Sequence, residues 1–239
     1  MLVHSSLSSL GHVDGGTEAV VDGFLDHLDG AGTLVIPTLP FRGYQYDYLR
    51  ADPLFDPLTT PSLMGRITEA VRLRPGALRS WHPSHSVSAI GPAAALLTAP
   101  QSCDPWLTFG LQSPFGRLAD IDGWICLLGV SHRSSTLLHA VEEQNHLDYF
   151  AMPETLTVRA LVDGGVRHIR TSVGRPGVRR SFDRIEPLLV AHDAMKVGRI
   201  GDATVRLMRA RQVMAIASTA LRTEPHLLLA ESWRPEAPT

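Results

Sequence analysis

The run Trp124–Val130 (WICLLGV) is seven residues long and carries no charged side chain. It is far too short to span a bilayer, and too uniform for a strand that turns one face to water. It suits a strand covered on both faces, and such a strand needs helices above and below it.

The remaining chain supplies them. Met1–Ser6 and Thr33–Pro37 (TLVIP) are short apolar runs of strand character. Between them a helix is expected at roughly Thr17–Leu28, with Val20, Val21, Phe24, Leu25 and Leu28 at helical spacing and Thr17 as N-cap. Strand–helix–strand at the start argues for a layered α/β domain. The Tyr- and Pro-rich stretch Leu39–Pro61 reads as a surface loop that shapes a cleft. Ser62 can cap a helix with Met64, Ile67 and Val71 inward, ended by Pro75-Gly76. Gly91-Pro92 opens a small Ala/Leu helix, and Ser113-Pro114 is an N-cap followed by proline at the first helical position. Ser134 or Ser135 caps a helix that buries Leu137, Leu138 and Val141. Thr155–Val162 and Val166–Val173 flank Asp163-Gly164-Gly165, a hairpin signal. A last helix is expected over about Asp202–Leu221, before a polar, Pro-containing tail after Glu231.

Composition excludes several classes. At 239 residues, 44% hydrophobic and 19% charged, the chain is a folding one, read here as a single domain over residues 1–239. A net charge of −2 makes no global case for nucleic acid or a membrane surface. The opening MLVHSSLSSLG lacks the basic start and long apolar segment of a secretory signal, so the expected location is the cytoplasm. Cys103 and Cys126 are too few for a disulfide framework.

Three stretches carry candidate chemistry. In R79-S-W-H-P-S-H-S-V, His82 and His85 are open to a metal, nucleophile–base or structural reading. Pro83 spoils a helical presentation and no third ligand is near in sequence, so histidines bonded to backbone are the better reading. In S134-S-T-L-L-H-A-V-E-E143, His139 lies near a helix start, where unpaired N–H groups disfavour imidazolium. A neutral imidazole is what a general base needs, and Glu142 or Glu143 at i+3 and i+4 can lie near the ring. The alternative is an ordinary helical histidine. In V3-H-S-S-L-S-S-L-G11, hydroxyls and N–H groups between a strand and a helix suit amide or phosphate binding.

Taken together these stretches resemble one family. V3-H-S-S-L-S-S-L-G11 with D14-G-G16 and Gly32–Thr38 (GTLVIPT) is similar to the opening of the aminoglycoside 3-N-acetyltransferases, the AAC(3)-like antibiotic acetyltransferases. Phe55–Pro92, with His-Pro-Ser-His-Ser, resembles their middle block. Ser113–Val130, Ser135–Glu142 and Gly198–Leu221 resemble the blocks that follow, in the same order. The resemblance implies a layered α/β/α fold with a central sheet, distinct from the GNAT acetyltransferases. It implies direct acetyl transfer from acetyl-CoA to a small-molecule amine, with no covalent intermediate and no metal. Carried over by position, the base falls on His139, and Glu142 is a candidate partner for it by its i+3 spacing alone. The pantetheine segment falls on His4, Ser5, Ser6 and Leu7, with Ser113, Pro114 and Phe115 beside it. His82 and His85 become residues of the site's frame on the substrate side, and Asp47, Asp52 and Asp56 are plausible contacts for the amine. Ser5, Ser6 and Ser135–Thr136 are candidate oxyanion donors.

Three departures stand out. The family usually has a helix ahead of the V-H-S-S strand, which these residues do not include, so a packing surface is expected bare. Some members orient the base with a Glu after the hairpin turn, where V166-R-H-I-R-T-S-V173 has no carboxylate; Asp163, Glu142 or Asp183 can substitute. Arg159–Arg184 holds seven arginines against Asp163 and Asp183. They are a solvated face, a repellent for polycations, or help for CoA phosphates. The expected activity is thus acetyl-CoA-dependent N-acetylation of an aminoglycoside-type amine. The alternatives are an AAC(3)-like biosynthetic acyltransferase with another acceptor and a non-catalytic CoA-binding protein.

Overall fold

The apolar run forms the strand Trp124–Leu128, and its two faces enter different cores. Ile125 and Leu127 pack with Leu137, Leu138 and Val213, whereas Cys126 and Leu128 pack with Val21, Ile67 and Val71. The computed structural model describes residues 1–233. Residues 234–239, most of the expected tail, lie outside the described residues.

In chain order the first half comprises β1 (Leu2–Ser5), α1 (Gly16–Leu28), β2 (Leu34–Pro37), α2 (Gln45–Arg50), β3 (Leu54–Phe55), α3 (Arg66–Leu73), β4 (Leu78–Arg79), β5 (Val87–Ile90) and α4 (Ala94–Thr98). Then come α5 (Pro114–Asp120), β6 (Trp124–Leu128), α6 (Thr136–Gln144), β7 (Leu156–Val162), β8 (Gly165–Thr171), α7 (Glu186–Ala191), β9 (Met195–Ile200), β10 (Ala203–Arg209) and α8 (Ala210–Thr223). Seven strands make a mixed central sheet in the order β4-β5-β2-β1-β6-β10-β9, with β2, β1 and β6 parallel. The faces are covered by α1 and α3 on one side and by α4, α5, α6 and α8 on the other. This is the layered α/β/α arrangement expected.

Four local expectations are corrected. The N-cap of α1 is Gly15, in the left-handed region at φ 77°, and Thr17 lies inside the first turn. Gly65 at φ 128° caps α3; Ser62 instead bonds Thr68 Oγ1 at 2.8 Å and gives its N–H to Glu69, while Met64 is exposed. Leu39–Pro61 is not only a loop. It contains α2 and β3, and Phe55 and Leu49 are buried in a third core with Val158, Ala160 and Ile169 of a small sheet, β3-β7-β8. The expected last helix is divided: residues 203–209 are β10, paired with β6 from Val205↔Leu128 to Arg209↔Trp124, and only Ala210 onward is helical. Leu207 and Met208 enter opposite cores, the alternation of a strand.

Candidate active site

The central strand β1 places the site. From its carboxyl end the chain leaves toward α1 on one face, whereas from the neighbouring β6 it leaves toward α6 on the other. Such a divergence leaves a crevice beyond the parallel strand ends, the usual ligand position in layered α/β folds. Here it is a cavity of about 370 Å³ lined by His4, Ser5, Phe41, Arg42, His85, Arg133, Ser135, Thr136 and His139, among others. A second cavity of about 560 Å³ follows the connection from β1 to α1 and meets the start of α3; Ser5, Met64 and Thr68 line both.

His139 is the fourth residue of α6, whose N-cap is Ser135. Its Nδ1 lies 2.8 Å from Glu142 Oε2, one turn further along the helix. A carboxylate at that distance accepts, so the bond assigns the proton to Nδ1 and leaves the Nε2 lone pair free. Phe109 stacks on the ring at 5.3 Å and Phe182 meets it edge-on at 4.8 Å. Burial in this aromatic setting lowers the His139 pKa, Glu142 opposes that, and Arg180 adds to it.

Glu142 is fully buried, and Arg180 Nε lies 3.0 and 2.8 Å from its two oxygens. Arg180 in turn lies over Phe150. A buried carboxylate is tolerable because a guanidinium and an imidazole N–H share it. The hairpin strand supplies no carboxylate to the His139 ring; the group that holds it comes from the same helix. Asp163 occupies the β7–β8 turn, and Asp183 accepts from Ser131 Oγ at 3.1 Å, so neither touches the ring. Glu143 points elsewhere, accepting from the Phe109 N–H at 2.6 Å and from Ser172 Oγ at 2.7 Å. Burial raises its pKa, and its bonds fix the loop that carries Phe109.

His82 and His85 are brought near the cavity but differently used. His82 Nε2 pairs with Thr171 Oγ1 at 3.0 Å while its Nδ1 accepts the His85 N–H at 3.1 Å. Both nitrogens are engaged and the residue does not line the cavity. Burial brings its pKa down to about 3. His85 lines the cavity and bonds Ser84 Oγ through Nδ1 at 3.0 Å. Among the described residues no three His, Cys, Asp or Glu side chains converge as metal ligands.

The other expected residues divide. His4 and Ser5 reach the cavity, with His4 Nε2 3.3 Å from Thr136 Oγ1 and its pKa brought down by burial to about 4. Ser5 Oγ is buried and has no hydrogen-bond partner among the described residues. Ser6 and Leu7 line the adjoining cavity. Ser113, Pro114 and Phe115 do not line either cavity: Ser113 Oγ caps α5 by accepting the Gly116 N–H, and Phe115 packs behind Phe109. Asp47 is exposed on α2, and Asp56 spends its carboxylate on its own turn, accepting from the Leu58 N–H and Thr59 hydroxyl. Neither lines the cavity. Several of the clustered arginines find partners distant in sequence: Arg159 pairs with Asp52, Arg170 with Asp104, Arg180 with Glu142 and Arg184 with Glu224. Sequence reasoning missed the Phe109/Phe182 cage, the Glu142–Arg180 pairing, and Arg42 and Arg133; none sits in a motif that signals it.

The model of the family described as aminoglycoside 3-N-acetyltransferase matches residues 2–222. The chain belongs to that family. It is therefore an acyltransferase with the fold of that family. Aminoglycoside N(3)-acetyltransferase VIII of Streptomyces fradiae is 32% identical to it, over 90% of this chain and 82% of that protein. Aminoglycoside N(3)-acetyltransferase III of Pseudomonas aeruginosa is 31% identical, over 91% and 84%. Among solved structures, a mutant of the aminoglycoside acetyltransferase AAC(3)-IVa in complex with a gentamicin superposes with a TM-score of 0.80 at 28% identity, covering 96% of this chain and 83% of that one. No helix of the described residues is long and apolar enough to cross a membrane.

Proposed function

We propose that the chain is a cytoplasmic, acetyl-CoA-dependent N-acetyltransferase that transfers acetyl directly to an amine, with His139 as general base. The supporting observation is the His139 ring, whose Nδ1 is held by buried Glu142 while the opposite nitrogen is left for the cavity. As the amine nitrogen bonds to the thioester carbon, Nε2 takes one of its protons. Collapse of the tetrahedral adduct breaks the C–S bond, and the imidazolium returns that proton to the CoA thiolate. The products are the N-acetyl amine and CoA. A pKa below the ordinary histidine range keeps the ring unprotonated at neutral pH, and the Glu142 carboxylate stabilises the transient imidazolium.

Support for the developing oxyanion comes from Ser5 Oγ, an unpartnered donor at the junction of the two cavities, and from the helix start at Thr136. The acetyl-CoA arm fits along the Ser5–Leu7 segment, which joins the cavities. Ser113–Phe115 serve this reading indirectly, by backing Phe109 against His139.

The test follows thiol released from acetyl-CoA with a panel of amines, including gentamicin, for wild type and His139→Ala. Acceptor-dependent release that falls by about 10²–10⁴-fold in the variant is expected. Release indifferent to the substitution would remove the base from His139.

A further inference from the structure

The cavity that holds His139 and the one adjoining it contain three arginines, Arg42, Arg66 and Arg133, and no Asp or Glu among their lining residues. Among the described residues none of these three guanidiniums forms an ion pair, whereas Arg159, Arg170 and Arg184 on the outer surface each do. Two lining groups have acidic partners: His139, on buried Glu142, and His12 of the adjoining cavity, which pairs with exposed Asp14 at 3.0 Å. The buried carboxylate behind His139 is already paired with Arg180. The walls that a second substrate meets are therefore cationic or neutral.

Resting on the acetyltransferase reading above, we infer that the acceptor is an amine bearing an anionic group, a phosphate or a carboxylate, held by Arg42 and Arg133, and not a polycation. Arginine's planar fork matches both anions bidentately. On the placement of acetyl-CoA proposed above, with its arm along Ser5–Leu7, the phosphates fall to the adjoining cavity, which Arg66 lines, while Arg42 and Arg133 line the cavity of His139. Arg42 follows β2 and Arg133 precedes α6, so the two reach the cavity from separate parts of the chain. A polycation in the same place meets like charge without a carboxylate to neutralise it.

The probes are glucosamine, glucosamine 6-phosphate and gentamicin, assayed by thiol release from saturating acetyl-CoA. Wild type is expected to use glucosamine 6-phosphate about tenfold or more better than glucosamine in kcat/KM. In the Arg42→Ala/Arg133→Ala double variant that advantage falls below about threefold, with the loss in the acceptor's KM and little change in that of acetyl-CoA. The paired lysine variants restore part of it. Both side chains are exposed, so the variants fold. His139-dependent release with gentamicin preferred over the phosphate overturns the inference and leaves the acetyltransferase reading intact. If no amine supports release, calorimetry of glucosamine 6-phosphate with the CoA-loaded protein decides. Arginine-dependent binding upholds the anion site while the transfer reading falls; no binding overturns the inference.

Discussion

Two imidazoles near one cavity differ in a single respect. His82 uses both nitrogens on the protein, one on Thr171 and one on the backbone of its own turn. His139 gives one nitrogen to Glu142 and keeps the other for the cavity. Both are shielded and both are kept neutral by burial. What marks a candidate base here is therefore the spare nitrogen, and not burial, a lowered pKa or membership of a motif. His82 stands in the more conspicuous motif and is the staple; His139 stands in an ordinary helix and is the candidate base.

Beyond replacing His139, the sharpest way to break this contrast is to remove what holds its ring. Glu142→Gln keeps the shape but loses the charge that stabilises imidazolium. A fall of about 10–100-fold in kcat is expected, of the size seen when a partner that orients an imidazole is lost. Because Glu142 raises the His139 pKa, its loss also moves the acid limb of the kcat/KM profile to lower pH. Arg180→Lys retains a charge near Glu142 but not the contact to both oxygens, so its rate lies between the two. Since Arg180 lowers the His139 pKa, weakening that influence moves the acid limb upward. A Glu142→Gln profile identical to wild type would show that the carboxylate neither orients nor charges the base.

A smaller effect is expected on the other side of the comparison. His82→Gln leaves Thr171 and the His85 N–H in a dry site with an imperfect partner. The expected cost is about 1–3 kcal/mol in denaturant stability, with kcat/KM changed by only a few-fold. A rate loss matching that of His139→Ala, with stability intact, would make His82 a participant in the reaction.

The layered fold was legible because β6 is apolar on both faces and the first strand–helix–strand unit repeats at helical spacing. The β9–β10 hairpin was not, since T-V-R-L-M-R followed by A-R-Q-V carries apolar residues at spacings that suit either element. Pairing with β6 decided it, and that partner is about 80 residues away. At the site, Glu142 was within reach of reasoning because i+3 brings it to the ring of His139. Arg180 was visible only as one of many arginines, 38 residues beyond Glu142. The expected amine contacts Asp47 and Asp56 failed for a local reason in one case: Asp56 closes its own turn, bonded to the Leu58 N–H and the Thr59 hydroxyl while its own N–H goes to Thr60.

The smallest effect, a change of slope, tests whether His82 is held neutral at all. Burial brings its pKa from 6.5 to about 3, and that of His4 from 6.5 to about 4. Between those values and 6.5 the unfolded chain takes up protons that the native one excludes, so stability rises with pH across this window. The contribution is complete above about pH 6.5 and is lost as pH falls toward 4; each such histidine adds at most about 1.4 kcal/mol per pH unit. Paired carboxylates such as Glu69 and Asp56, whose pKa values are lowered, yield only at lower pH. Glu143, raised by burial, opposes the histidines and the Met1 amine, lowered to about 6, adds to them, so the His82 share across about pH 5 to 6.5 is read as the difference between wild type and variant. Urea midpoints measured across that interval should fall for wild type and fall less steeply for His82→Gln, which has one fewer group to protonate on unfolding. Parallel lines would mean that native His82 accepts the proton, that a nitrogen comes free when it does, and that the distinction between staple and base is one of pH.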